Sequence, residues 1–117
     1  MTKIIDIQLA LEQANGSEEL AKDLFSMLIN DLPVLSENLT HAFNVNDEQA
    51  LWNHAHKIYG STAYCGVPQL RNAAHELEHS IKTNSTDIEN SIQQVIHAIE
   101  QLMKLAESEL ANNWSTV

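Results

Sequence analysis

The sequence predicts an all-α chain, an antiparallel up-down four-helix bundle with a short N-terminal capping helix, and three observations predict it. Only 3 Gly and 2 Pro occur in 117 residues, and β-branched runs are short, so little in the chain breaks helices. Apolar residues recur at three- and four-residue spacing along four long stretches, as one face of a helix requires. Only a few turn-forming residues separate those stretches, so successive helices must double back on one another. The length suits one domain with one core, residues 1–117.

Residues 1–5 (MTKII) read as an extended lead-in. Asp6 can cap a short helix whose apolar positions are Ile7, Ala10, Leu11 and Ala14, and Asn15-Gly16 ends it. This helix is too short to be a full bundle member, which makes it a lid on one end. Ser17 followed by Glu18 and Glu19 starts the next helix, with a capping hydroxyl and two acids at the positive end of the dipole. Its stripe is read as Leu20, Leu24, Met27/Leu28, Leu32, Leu35, Leu39 and Phe43, running to about Asn44. Pro33 interrupts the stripe without changing its phase, which favours one long kinked helix over two helices meeting at Leu32-Pro33.

Asn46 with Gln49 three residues later reads as a capping box. The helix it opens has its seam at Leu51, Ala55, Ile58, Thr62 and Cys65, and Gly66 is expected to end it. Pro68 suits the first turn of a fourth helix, about Pro68 to Lys82, with a seam at Leu70, Ala73/Ala74, Leu77 and Ile81. Asn84 and Ser85 are loop. Thr86 with Glu89 forms a second capping box before a last helix that turns Ile88, Ile92, Val95, Ile99, Leu102, Ala106 and Leu110 inward. Met27 and Met103 fall at seam positions and are assigned to the core. Residues 111–117 are expected to fray, with Trp114 folding back onto the bundle.

Composition excludes several classes of function. Six Lys+Arg against 16 Asp+Glu give a formal net charge of −10, the wrong sign for nucleic acid or an anionic membrane surface. The longest apolar runs fall far short of the ~20 residues a bilayer crossing needs, and the N-terminus lacks the pattern of a signal peptide. Cys65 is the only cysteine, so no internal disulfide forms and a reducing compartment fits. It is assigned as a small buried hydrophobe at a helix end, not a catalytic thiol.

The stretch Trp52 to Ser61, WNHAHKIYGS, carries the candidate chemistry. In a helix, Trp52, Asn53, Tyr59 and Gly60 share the face of His56. Gly60 costs about 1 kcal/mol relative to alanine there, so a bare backbone one turn from a histidine suggests a patch cleared for something bulky. Close helix packing or a bend is the structural alternative. His56 lies one residue past the seam position Ala55, on the flank of its helix. It precedes Gly66 by ten residues and Glu78 follows Gly66 by twelve, so in an antiparallel hairpin the two side chains are expected to meet.

Two chemistries use these histidines. In one, His56 is a nucleophile for a phosphoryl group, with Glu78 holding Nδ1 and Nε2 aimed outward over Gly60. Lys57, Tyr59 and Ser61 are then the candidates for contacting phosphate oxygens or a partner. The sequence has no Gly-rich nucleotide loop and no Mg²⁺-binding acid cluster, so donor and metal would come with a partner. In the other, His75 and His79, an i, i+4 pair, bind a metal with His54 or His56, and Glu76 and Glu78 nearby. An HxxxH pair is easily met among 6 histidines. His41 and His97 have no supporting pattern and are assigned to solvent.

Ala55 to Lys82, AHKIYGSTAYCGVPQLRNAAHELEHSIK, resembles the signature of histidine-containing phosphotransfer (HPt) domains: a histidine, Gly at +4, a small or hydroxyl residue at +5, then Gly, Leu and a Leu-Glu pair on the following helix. His56, Gly60, Ser61, Gly66, Leu70, Leu77 and Glu78 occupy those places. The continuation Gly66-Val67-Pro68, and the general course of the chain from Asp6, look most like the C-terminal HPt domains of BarA/GacS-type hybrid sensor kinases. The resemblance implies that His56 takes a phosphoryl group from a receiver-domain aspartate and passes it to a response-regulator aspartate. It implies no kinase activity in the domain alone, no cofactor of its own, Mg²⁺ on the partner receiver, a monomer, and a cytoplasmic location. The chain departs from the pattern at Tyr59, where many members carry Lys. Lys57, at +1 and about 100° around the helix from His56, cannot simply substitute.

Overall fold

The computed structural model describes residues 3–109 and contains five helices: α1 Ile7–Gln13, α2 Glu18–Asn44, α3 Glu48–Ser61, α4 Pro68–Lys82 and α5 Ile88–Glu109. Helix α2 packs on α3 and α5, α3 on α4, and α4 on α5. The four long helices therefore close a ring in which chain neighbours run antiparallel across short turns. Among the described residues no helix is long and apolar enough to cross a membrane.

Local chemistry fixes most boundaries. The Asp6 carboxylate accepts from Leu9 N–H at 3.0 Å and starts α1. At its end Asn15 and Gly16 take left-handed φ of 56° and 83°, and Gly16 N–H donates to the Leu11 carbonyl at 2.7 Å. Ser17 caps α2 through Leu20 N–H at 3.1 Å, and α2 continues through Pro33 as one helix. The lid role of α1 is realised at the α3–α4 turn, where Asp6 N–H donates to the Gly66 carbonyl at 2.8 Å. Gly66 N–H in turn donates to Gln13 Oε1 at 3.1 Å.

Several expectations need correction. Helix α3 is capped by Asp47, which accepts from Ala50 N–H at 3.1 Å. Asn46 instead has a φ of 58° in the turn leaving α2, and Gln49 donates to Asn53 at 3.2 Å, so the Asn46–Gln49 box does not form. Helix α3 ends at Ser61, five residues before Gly66. The Thr62 hydroxyl donates to the Tyr59 carbonyl at 2.6 Å and the Arg71 guanidinium, from α4, reaches the same carbonyl at 3.3 Å. With the Tyr59 carbonyl met by these side chains as well as by Thr62 N–H, α3 stops early. Helix α5 begins at Ile88 without the Thr86–Glu89 box; the Ser85 hydroxyl accepts from Asp87 N–H at 3.0 Å.

The core contains the expected positions of α3, α4 and α5, among them Leu51, Ala55, Ile58, Leu70, Leu77, Val95 and Leu102. In α2 the phase of the first half is one residue out. Ala21 and Phe25 are buried with Leu28, Leu32, Leu35 and Leu39, while Leu20 and Met27 are exposed. Met27 is therefore not core; Met103 is half-buried against it. Leu110 and Trp114 lie outside the described residues. Cys65 is buried, with its sulfur within hydrogen-bonding reach of the carbonyls of Ser61 at 3.4 Å and Leu24 at 3.5 Å. Burial pushes its pKa up, outweighing the lowering effect of a backbone hydrogen bond at Tyr64. A thiol so held is a packing group rather than a nucleophile.

Candidate functional site

The flank of the α3–α4 hairpin gathers the singled-out residues. Because Ala55 and Ile58 occupy the seam, His56 emerges beside it, with its side chain 60% exposed, and Glu78 emerges beside Leu77, with its side chain 12% exposed. His56 Nδ1 and Glu78 Oε1 stand 2.5 Å apart. A carboxylate can only accept, so Nδ1 carries a proton, and in the neutral ring Nε2 is the nitrogen with the lone pair. The sheltered partner is the anchor and the exposed ring is the group presented.

A second constraint comes from one turn earlier on α3. The Trp52 indole stacks on the His56 imidazole with centroids 4.8 Å apart and planes 9° from parallel. One turn later, an added Cβ at Gly60 would meet nothing within 4 Å. Neither close packing nor a left-handed backbone explains that glycine, and the space beside His56 is open.

The other expected contact residues divide. Lys57 is exposed. The Ser61 hydroxyl donates to the Lys57 carbonyl at 2.8 Å, which leaves only its lone pairs free. Tyr59 turns toward α4, its ring lying 4.2 Å below the Arg71 guanidinium carbon and 5.4 Å from the His75 ring. Arg71 also donates to the Tyr59 hydroxyl at 3.1 Å and the Thr62 hydroxyl at 3.4 Å. Where many members of the resembled family have a lysine, this chain thus has a tyrosine tied to an arginine of the neighbouring helix.

Arg71 and the Trp52 stack were not assigned from sequence. The hairpin register that pairs His56 with Glu78 also pairs Tyr59 with His75, three residues on along α3 and three back along α4, so that contact was accessible. Metal chemistry gains no support: among the described residues no three His, Cys, Asp or Glu side chains converge as a metal site. His75 is drawn to Tyr59, while His54 and His79 are joined to no such group.

Comparison with known proteins bears on the chain as a whole. The Hpt domain family model matches residues 23–116. The chain is 34% identical over 100 residues to the sensor histidine kinase GacS of Pseudomonas protegens, a match covering 86% of this chain and 11% of GacS. It is 29% identical over 104 residues to the signal transduction histidine-protein kinase BarA of Escherichia coli, covering 87% of this chain and 11% of BarA. The chain thus spans about a tenth of these curated relatives. The crystal structure of an HPT domain from a Shewanella hybrid histidine kinase superposes with a TM-score of 0.84 at 27% identity, covering 92% of this chain and 94% of that one. The chain belongs to the Hpt domain family, whose members in hybrid kinases act as phosphorelay intermediates of two-component systems.

Proposed function

We propose that His56 is the phosphoryl carrier of this domain, loaded by a receiver-domain aspartate and unloaded by a response-regulator aspartate. The observation that carries the reading is one arrangement: an exposed imidazole with Nδ1 fixed by Glu78, above a glycine with open space around it. In loading, the Nε2 lone pair attacks phosphorus and an N–P bond forms. The P–O bond to the receiver aspartate breaks, and its electrons stay on that carboxylate. The ring becomes cationic, and its Nδ1 proton remains shared with Glu78. Unloading is the reverse with a second aspartate.

The domain's contribution is positioning, with Mg²⁺ on the receiver's side of the encounter. Lys57 and the Ser61 lone pairs are the groups on this side open to phosphate oxygens, and Gly60 supplies access. Tyr59 acts from beside the site through its contact with Arg71. The domain relays the group without making it, works as a monomer, and lies on the cytoplasmic side of any kinase that carries it.

Incubation with a phosphorylated receiver domain should place an acid-labile phosphate on His56. His56→Gln should remove it with helix content unchanged, and a label persisting in that variant defeats the assignment. Glu78→Ala should slow transfer about tenfold, the worth of one hydrogen bond to a charged group. Imidazole ¹⁵N shifts should then show Nδ1 no longer uniformly protonated. An unchanged tautomer would mean that Glu78 does not orient the ring.

A further inference from the structure

We propose that Trp52 is a positioning residue for transfer through His56, holding the plane of the imidazole and stabilising the charge it acquires. The inference rests on the phosphoryl-carrier reading of His56. The bond to Glu78 restrains Nδ1, yet coupled rotation about χ1 and χ2 can tilt the ring plane while that bond is kept. For a side chain 60% exposed, nothing in the core restrains that motion. The indole does, because its ring centroid lies 4.8 Å from that of the imidazole and its plane is within 9° of parallel. One contact in the ring plane and one against its face together leave Nε2 a single direction, outward.

The stack also bears on charge. When Nε2 takes the phosphoryl group and the P–O bond to the donor breaks, the imidazole becomes a cation. An indole face is the most favourable aromatic surface for a cation. Its attraction grows as the charge develops, so it acts more on the transition state and the loaded form than on the resting ring. Trp52 lies outside the buried core and is itself partly exposed. Packing of the bundle therefore does not require an indole at this position.

The test compares Trp52→Leu and Trp52→Phe with the wild-type domain. In Trp52→Leu the carbon-bound protons of His56 should move downfield in the NMR spectrum as ring-current shielding disappears, while the melting temperature stays near wild type. Transfer from a phosphorylated receiver should lose about fivefold in kcat with KM unchanged, as loss of a transition-state interaction demands. Trp52→Phe, which keeps an aromatic face, should restore most of the rate, and it serves as the main variant should the leucine form melt early. Wild-type kcat in Trp52→Leu, a loss confined to KM, or no rescue by phenylalanine would each overturn the proposal. Failure of the carrier reading looks different: the wild-type domain would then carry no phosphate on His56, whatever the His56 resonances reported about the stack.

Discussion

Gly60 and Gly66 lie six residues apart in the same hairpin and are glycine for opposite reasons. Gly60 sits inside α3 with ordinary helical backbone, and a Cβ there would meet nothing within 4 Å. Gly66 sits in the α3–α4 turn at a φ of +63°, and a Cβ there would lie 2.4 Å from the Asp6 carbonyl oxygen and 2.7 Å from the Ala10 Cβ. One glycine opens the domain to the outside, while the other lets α1 close against it. The contrast teaches that a glycine beside an exposed histidine need not be structural, even where the neighbouring one is wholly so.

The largest effect expected from breaking this contrast is at Gly66. Gly66→Ala must bear a left-handed backbone, about 1–2 kcal/mol for an L residue, as well as overlap with backbone atoms that cannot move aside cheaply. A loss of at least ~2 kcal/mol should result, lowering the melting temperature by roughly 6–12 °C for a domain of this size. Amide exchange should rise most at Asp6, whose N–H donates to the Gly66 carbonyl, because α1 is the element displaced. Phosphate acceptance by the folded fraction should persist. A Gly66→Ala variant as stable as wild type would show that the turn yields more easily than its contacts imply.

Gly60→Gln comes next, and its effect falls on transfer. A helix with open space at this position accepts the side chain without strain, so the melting temperature should hold or rise slightly. The added bulk occupies the approach to Nε2, and a receiver's aspartyl phosphate must come within about 3–3.5 Å of that atom to react. Transfer should drop at least ~10-fold, since even small misplacements of reacting groups are costly. Wild-type transfer in a folded Gly60→Gln domain would refute the idea that this glycine provides access.

How far sequence alone reached follows from which interactions are periodic. The seams of α3 and α4 were legible because Leu51, Ala55, Ile58, Leu70 and Leu77 repeat at helical spacing, and hairpin symmetry then brought His56 to Glu78. In α2 the same reasoning chose Leu20 and Leu24 over Ala21 and Phe25, and admitted Met27 beside Leu28. Both sets are apolar at three- and four-residue intervals, and only packing against the other helices separates them. The end of α3 was out of reach for another reason. Its last carbonyls are satisfied in part by Arg71 of α4, a tertiary contact with no local code. The i, i+4 spacing of Trp52 and His56 made them neighbours, but spacing does not specify that two rings lie parallel.

The smallest effect expected is at Gly60→Ala, and its sign is informative. Gly60 is the next-to-last residue of α3, where glycine still loses more backbone freedom on folding than alanine does. Where the new methyl meets no neighbour, that difference is recovered without opposition. Gly60→Ala should therefore stabilise the bundle by about 0.5–1 kcal/mol, raising the melting temperature by roughly 2–6 °C. Because a methyl extends little beyond the helix backbone, transfer should stay within about twofold of wild type, far from the loss expected for glutamine. Thermal melts and transfer rates on the two Gly60 variants together separate access from fold. If alanine lowered the melting temperature, Gly60 would be serving a packing or bending role after all, and the contrast with Gly66 would collapse. Stabilisation by alanine, with the rate lost only when the side chain lengthens, would mean that α3 forgoes stability at Gly60 in exchange for an open path to His56.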